Sequence, residues 1–343
     1  NLIINGAMQV AQRGTSFTDA DGIYTLDRYR LNSANEDEFV CDVSQSTDAP
    51  SGFTTSMKVD VTTAETTIDA DERVSIEQRI EAQNLQHLKY GTANAEATTL
   101  SMWVKSSVAG KYGVNIRAHD AADSYITSFT INTADTWEHK TMTIDGNTLS
   151  GGEISNDNGI GLWFRLMLIC GSDRRTSTVD QWVANIDDNA PTDAQTTWGT
   201  SASHEFYLTG VQWEVGEQAT PFEHRSFADE LHRCKRYYRQ WAAADSSNGY
   251  TRMGIGPGQG SATALAQIFL DPYMRVKPSQ IVTGQMMAYN GSNLQDCDPS
   301  IDSASTNYFV MIQVSNAGSG FSVGQAVEFI TKAPNSSGAV YAL

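Results

Sequence analysis

Residues 205–241 read EFYLTGVQWEVGEQATPFEHRSFADELHRCKRYYRQW. The run is a strand, then a corner, then a helix. Ser226 stands as an N-cap, with Asp229 three positions on in a variant of the capping box. Large side chains then recur at Phe227, Leu231, Cys234, Tyr238 and Trp241, at spacings of 4, 3, 4 and 3. That pattern predicts one helix over 226–242 with a coiled-coil-like seam of about two heptads. The seam either packs on the chain's own domains or lines an oligomer axis. No other helix signal is as clear, so this segment reads as a joint between two β modules.

On the N-terminal side, apolar residues alternate with polar ones in FTTSMKVDVTT (Met57, Val59, Val61) and TTLSMWVKSS (Leu100, Met102, Val104). RVSIEQRIE, KYGVNIRAHD, SYITSFTINT, WEHKTMTID and GLWFRLMLI continue the pattern, separated by Gly, Asn, Asp and Ser clusters. Period-two alternation with such punctuation marks half-buried strands. Many short strands of this kind predict a β-sandwich or jelly roll over 1–225. From Gly249 the chain is β again, through YTRMGIG, SATALAQIFLDP, SQIVTGQMMAYN, NYFVMIQVS, QAVEFITKA and GAVYAL. These predict a smaller β-sandwich over 243–343. The fold class is therefore all-β with one linking helix. No fixed repeat period points to a β-helix or propeller.

The 343 residues are 40% hydrophobic and 18% charged, with a formal net charge of -17. Residues 1–225 hold 32 acids and 15 bases, whereas 226–241 carry a net +2. So acidic a surface repels phosphate backbones and argues against nucleic-acid binding. No apolar run approaches the roughly 18 residues of a membrane span, which argues against insertion. Cys41, Cys170, Cys234 and Cys297 are widely spaced and form no CxxC, so reduced, buried thiols are expected. No signal-peptide pattern is visible. The chain opens on strand-like NLIING without an initiator Met, so a preceding segment is expected.

No catalytic constellation is spelled out. His87, His119, His139, His204, His224 and His232 form neither HxH nor HExxH, so no metal site or cofactor is expected. The Gly-rich run at 254–260 has no Lys and opens no helix, which excludes a phosphate loop. A pair of carboxylates for glycoside hydrolysis is not singled out by any motif. Aromatic residues are the better clue, because sugars lay their C–H faces on Trp and Tyr rings. Trp103 lies opposite the stripe Leu100/Met102/Val104, and Tyr112, Tyr125 and Trp163 lie on nearby strands. These four are the candidate carbohydrate-binding residues; the alternative for each is packing against the other sheet.

Three stretches resemble tail-fibre and related virion proteins of tailed bacteriophages. They are NLIINGAMQVAQRGTSF with YTLDRYRL, then LTGVQWEVGEQATPFEHRSFADELHRCKRYYRQW, then IFLDPYMRVKPSQIVTG with the end GAVYAL. The middle one is the most specific, joining a strand ending in Glu, TPFEHR, and a helix ending in C-x-R-Y-Y. The first module also resembles jelly-roll carbohydrate-binding modules that open with NLLxNGxFE. Such modules hold a structural calcium with a Glu after the NG turn and an Asp in the last strand. Here Gln9 and Thr209–Gly210 stand at those positions, so the calcium site is not carried over. The resemblance implies a non-enzymatic virion protein: a homotrimeric tail fibre or fibre tip, assembled in the host cytoplasm, that attaches to host surface polysaccharide or lipopolysaccharide. Its other partners would be tail or capsid proteins. The alternatives are a purely structural capsid fibre, decoration or adaptor protein, and a glycan-degrading tailspike.

Overall fold

The computed structural model describes residues 1–343 apart from 36–37, 186–189, 242–249, 280–285, 316–319 and 333–343. The expected strand at GAVYAL, the stretch 186–189 and residue 242 at the expected helix end lie outside the described residues. The chain divides into two compact units, Asn1–Glu230 and Leu231–Leu343. The protein is nearly all β, with one α-helix among the described residues.

In the first unit two six-stranded sheets face each other. One runs, edge to edge, β1 (Ser16–Phe17), β3 (Val40–Ser46), β4 (Ser56–Thr63), β14 (Glu205–Val215), β6 (Thr98–Ser106) and β9 (Glu138–Ile144). The other runs β12 (Trp182–Ala184), β8 (Asp123–Ile131), β7 (Gly110–Ala118), β10 (Ile160–Cys170), β5 (Arg73–Glu81) and β2 (Arg30–Ala34). A short parallel ladder joins β11 (Arg175–Thr176) to β13 (Ala190–Pro191). Within the sheets β4 neighbours β14, then β6 and β9, while β8 neighbours β7, then β10 and β5, all antiparallel. The last strand, β14, is inserted between β4 and β6, and the chain crosses repeatedly between the two sheets, as in a jelly roll.

Alternation places the core. Val74, Ile76 and Ile80 of β5, Leu162, Phe164 and Leu166 of β10, and Tyr112, Val114 and Ile116 of β7 all point between the sheets. They meet Leu100, Met102 and Val104 of β6 and Phe206 and Leu208 of β14. Each such side chain contributes about 1.5–3 kcal/mol by burial. One end of the sandwich is closed by the N-terminal segment. Gln78 of β5 is buried there, and its amide accepts from Ile4 N–H and donates to Ile4 C=O, both at 3.0 Å. Asn5 (φ 61°) is fully buried, and its side chain binds Val10 N–H, Val10 C=O and Asp27 C=O. Gly6 lies so close to β14 that an added Cβ would sit 2.1 Å from the Val211 carbonyl oxygen.

After β14 the corner packs Phe222 and His224 on Phe53, with ring centroids 5.0 and 5.3 Å apart. Ser226 Oγ accepts the Asp229 N–H at 3.1 Å and starts α1 (Phe227–Lys235). The helix is nine residues long, shorter than 226–242. Its continuation is lost because the Arg236 carbonyl accepts from Arg275 N–H and the Arg236 and Arg239 side chains bind the Tyr273 and Pro272 carbonyls. Those long-range bonds replace the next helical turn. The expected oligomer seam is corrected accordingly: Tyr238 and Trp241 lie beyond the helix, and Cys234 is fully buried. Trp241 packs on the second unit's core, and Leu231 is half-buried. Only Phe227, 56% exposed, keeps an open apolar face.

The second unit holds β15 (Tyr250–Pro257), β16 (Thr263–Phe269), β17 (Met286–Tyr289), β18 (Leu294–Ile301), β19 (Phe309–Ser315) and β20 (Ala326–Lys332). Their order is β15-β20-β17-β18-β19-β16, all antiparallel. The first half of β18 pairs β17 and its second half pairs β19, so one strand carries the sheet into a second layer. Between the layers lie Ala264, Ala266, Ile268, Val310, Ile312, Val314 and Phe329. No helix among the described residues is long and apolar enough to cross a membrane.

Candidate functional site

The four aromatic candidates do not come together. Tyr112 and Tyr125, at 0% and 3% exposure, belong to the core. The Tyr112 hydroxyl bonds Ser106 Oγ and the Val108 carbonyl, and its ring stacks on Phe129 and lies tilted against Phe206. Tyr125 packs edge-on against Trp182. Both rings face inward because they share strand parity with Val114, Ile116 and Phe129. Neither is open to a ligand, which corrects the expectation for both. Trp103 and Trp163 are half-buried on the outer faces of opposite sheets.

Around Trp103, β6 neighbours Thr209 of β14 and His139 of β9. The indole lies 5.2 Å from the His139 ring, over Gly210, where a Cβ would collide with Phe53 and crowd the indole. Further along this face Lys105 sits over Tyr207 (4.1 Å) and Trp137 (5.7 Å). Asp48 closes the group by binding Lys105 and the Trp137 indole N–H, and these hydrogen bonds hold its carboxyl below the usual range. The Tyr207 hydroxyl donates to Glu205 at 2.7 Å, and Lys58 pairs with Glu205 at 2.8 Å. The polar groups of this face are largely matched to one another.

The outer face around Trp163 differs. It is built from the odd-numbered residues of β5, β10 and β7, whose even-numbered partners fill the core. One cross-strand row is Arg79, Trp163, Arg117 and Ser124. The next is Arg30, Glu77, Arg165, Asn115 and Ile126. The Arg165 and Arg79 guanidinium carbons lie 3.6 and 4.3 Å from the Trp163 ring centroid. Cation–π contacts of this kind fix the indole against the strand. The indole N–H donates to Glu77 Oε2 at 3.2 Å, and Ser75 Oγ donates to Glu77 Oε1 at 3.0 Å. Arg165 and Arg73 approach the same carboxylate at 3.7 and 3.6 Å. Burial pushes the Glu77 carboxyl upward, while Arg165 and its neighbours oppose that rise. His119 borders the ring at 6.3 Å.

Asn115 is fully buried in the second row, and neither end of its amide has a hydrogen-bond partner among the described residues. Buried amides are rarely left so, because the unmet desolvation costs about 1–3 kcal/mol. One side of the face is walled by the chain after β10. Ala190 and Ala194 cover Met167 and Cys170, and Gly113 admits Ala190, whose Cβ would be 2.7 Å from a Cβ there. Arg175 ties this wall down through the Cys170 and Ala194 carbonyls at 2.8 Å each. The result is a shelf whose half-buried groups are Trp163, Arg79 and Arg117, over a fully buried layer of Glu77, Arg165 and the Asn115 amide. Its chemistry suits a ligand with alternating apolar and hydroxyl or acidic edges.

Glu77, Arg79, Asn115, Arg117 and Arg165 were not singled out from the sequence. The signal was present as parity: Trp163 and Arg165 share a face, as do Glu77 and Arg79.

The residues standing at the calcium positions of the modules that the opening stretch resembles do not fit that ion. Gln9 and Thr209 bring no carboxylate. The carbonyls of Ala7, Met8 and Gln9 instead accept from Thr55 Oγ1 and the Gln45 amide, and Thr209 Oγ1 donates to the Thr55 carbonyl. Among the described residues no three His, Cys, Asp or Glu side chains converge as a metal site.

No protein-family model matches the chain, and no curated protein sequence does. Similar solved structures include the enzymatically active domain of tailspike protein 4 from bacteriophage CBA120, at TM-score 0.33 and 12% identity. That match covers 63% of this chain and 21% of the tailspike domain. The family 11 carbohydrate-binding module of Clostridium thermocellum, solved with a mixed-linked tetrasaccharide, matches at TM-score 0.29 and 11% identity over 60% of this chain and 97% of the module. A xylan-binding domain from Paenibacillus barcinonensis matches at TM-score 0.29 and 14% identity over 59% of this chain and 98% of the domain. TM-scores this low identify neither a family nor a function.

Proposed function

We propose that this chain is a non-enzymatic, glycan-binding subunit of a tailed-bacteriophage fibre, attaching the particle to host surface polysaccharide through the outer face of β5, β10 and β7. The observation that carries the reading is the half-buried Trp163 indole, held by Arg79 and Arg165 beside the buried amide of Asn115, which has no partner among the described residues. A sugar would lay its C–H face on the indole by displacing the half-buried Arg79 guanidinium from the ring, and the displaced Arg79 head would take its hydroxyls. The virion setting is supported by the three stretches that resemble tail-fibre proteins. A homotrimer would present three such faces, so weak single sites would add to firm attachment. Without the helical seam, trimer contacts would come from the β units.

Calorimetric titration of the chain with host surface polysaccharide tests this reading. Trp163→Ala is expected to weaken binding about fivefold or more, since losing one stacked ring costs about 1–3 kcal/mol, while Trp103→Ala retains it. Equal binding by wild type and Trp163→Ala removes this face from the function. Release of reducing sugar during the titration contradicts the non-enzymatic part.

A second reading, a structural or adaptor role within the virion, draws on the second unit. There Tyr308 (60% exposed) and Tyr273 (48%) form an open aromatic pair with Arg236 over the Tyr273 ring, and Phe269 (76%) lies exposed against Phe309. Such a patch suits a protein partner.

A further inference from the structure

We propose that the second unit has a carbohydrate contact of its own, a plate formed by Tyr273 and Tyr308 that stacks on a neutral pyranose ring of a surface glycan. This contact is separate from the β5–β10–β7 face and holds whether or not that face binds.

Tyr308 directly precedes β19 and shares the parity of Val310, Ile312 and Val314, which fill the core of this unit. It falls past the edge of that core, so its ring stays 60% exposed. Tyr273 lies beyond the end of β16, between the buried Leu270 and Met274, and is 48% exposed. Main-chain bonds tie the two segments together. The Leu270 N–H donates to the Tyr308 carbonyl at 2.9 Å, and the Met274 N–H donates to the Asn307 carbonyl at 2.8 Å. Buried anchors thus hold the two rings side by side, with centroids 5.2 Å apart and planes inclined at 39°. Arg236 donates to the Tyr273 carbonyl at 3.3 Å, and its guanidinium carbon lies 5.1 Å from that ring centroid. Arg236 props Tyr273, and Tyr308 offers the freer ring. A plate braced in this way gives up little freedom when a ligand arrives.

Size separates a sugar from a protein partner, the alternative for this pair. A covered aromatic side chain buries about 150–250 Å², so two half-exposed tyrosines leave roughly 200 Å² open. A stable protein contact takes about 800 Å² from each partner. A pyranose is about the size of a phenol ring, and its C–H face suits one such plate. Its hydroxyls need donors and acceptors at the rim. The half-buried Asn307 precedes Tyr308, and the exposed Asp271 lies two residues before Tyr273. An amide, a carboxylate and the phenol hydroxyls suit sugar hydroxyls. Arg236 is already engaged with Tyr273, so the plate selects a neutral sugar over an acidic one.

The test is an array of purified bacterial surface polysaccharides, neutral and acidic, probed with the intact chain and its variants. Hits are expected among the neutral polymers. Tyr308→Ala is expected to weaken them about fivefold or more, as the loss of one stacked ring does. Tyr308→Phe keeps the plate and should bind as wild type does. Tyr308→Leu keeps the bulk without a flat ring and should weaken the same hits, which preserves the test if the alanine variant unfolds. Trp163→Ala tells the two sites apart. Hits weakened by Trp163→Ala and untouched by Tyr308→Ala and Tyr308→Leu overturn the tyrosine plate and leave the first face standing. Hits weakened by the Tyr308 variants alone support the plate and remove the first face. Hits confined to acidic polymers overturn the neutral ligand. A Tyr308→Ala chain that binds every polymer as wild type does, yet has a lower mass by light scattering, has a protein contact there and overturns the sugar. An array without hits overturns both sites.

Discussion

Asn115→Val separates folding from function at the candidate site. In the native chain the Asn115 amide is fully buried and has no partner at either end among the described residues. Leaving such a group unmet costs about 1–3 kcal/mol relative to an apolar side chain of similar shape. Valine has a comparable volume and favours a pleated strand. The substitution is therefore expected to stabilise the first unit by about 1–3 kcal/mol. For a unit of this size, that raises Tm by roughly 2–10 °C. Differential scanning calorimetry reads the shift directly. Glycan titration on the same preparations is expected to show unchanged binding, because the amide is fully buried and out of a sugar hydroxyl's reach. A Tm lowered by several degrees would refute the reasoning, since it would mean the amide already has its partners. A raised Tm with weakened binding would show that ligand binding opens the buried row to Asn115.

Three other outcomes follow from the same geometry. Gly6→Ala places a methyl 2.1 Å from the Val211 carbonyl oxygen, so the closure of the sandwich end should weaken by about 2–4 kcal/mol, measured by urea unfolding. Burial raises the Glu138 carboxyl, but Lys140 and the Thr133 and Asn132 N–H groups outweigh it and bring the pKa down to about 2 from 4.5. A depressed carboxyl stabilises the fold above its unfolded value, so the advantage of wild type over Glu138→Gln should be full above about pH 5, shrink as pH falls from 4.5 towards 2, and be read from unfolding midpoints across that range. Chelation with EDTA should leave the unfolding midpoint of the first unit unchanged, because Thr55 and Gln45 satisfy the carbonyls of Ala7, Met8 and Gln9; a fall of several degrees would show a structural cation.

Much of the fold was legible in local pattern. Period-two alternation in FTTSMKVDVTT and TTLSMWVKSS marked β4 and β6, and the Ser226 cap marked the start of α1. The helix end was not legible. RYYRQW keeps a helical spacing, yet its backbone is drawn to residues 272–275 by Arg236 and Arg239, and that pairing lies more than thirty residues away in sequence. At the site, alternation alone would have sent Tyr112 and Tyr125 inward, because each shares parity with the core positions of its own strand. Arg165 was hidden by its setting in GLWFRLMLI, an apolar run in which both sheet faces are buried. Which rows lie side by side depends on strand order, and no local pattern specifies that β5, β10 and β7 are neighbours.

The central claim is that a glycan contacts the Trp163 face. The chain has seven tryptophans, so 5-fluorotryptophan labelling gives seven fluorine resonances, and Trp163→Phe assigns the one of interest. Titration with a polysaccharide that the protein binds is predicted to move the Trp163 resonance while leaving Trp103 and the buried Trp198 and Trp213 in place. Binding that moves Trp103 or Trp137 and leaves Trp163 untouched would put the ligand on the opposite sheet and contradict the account.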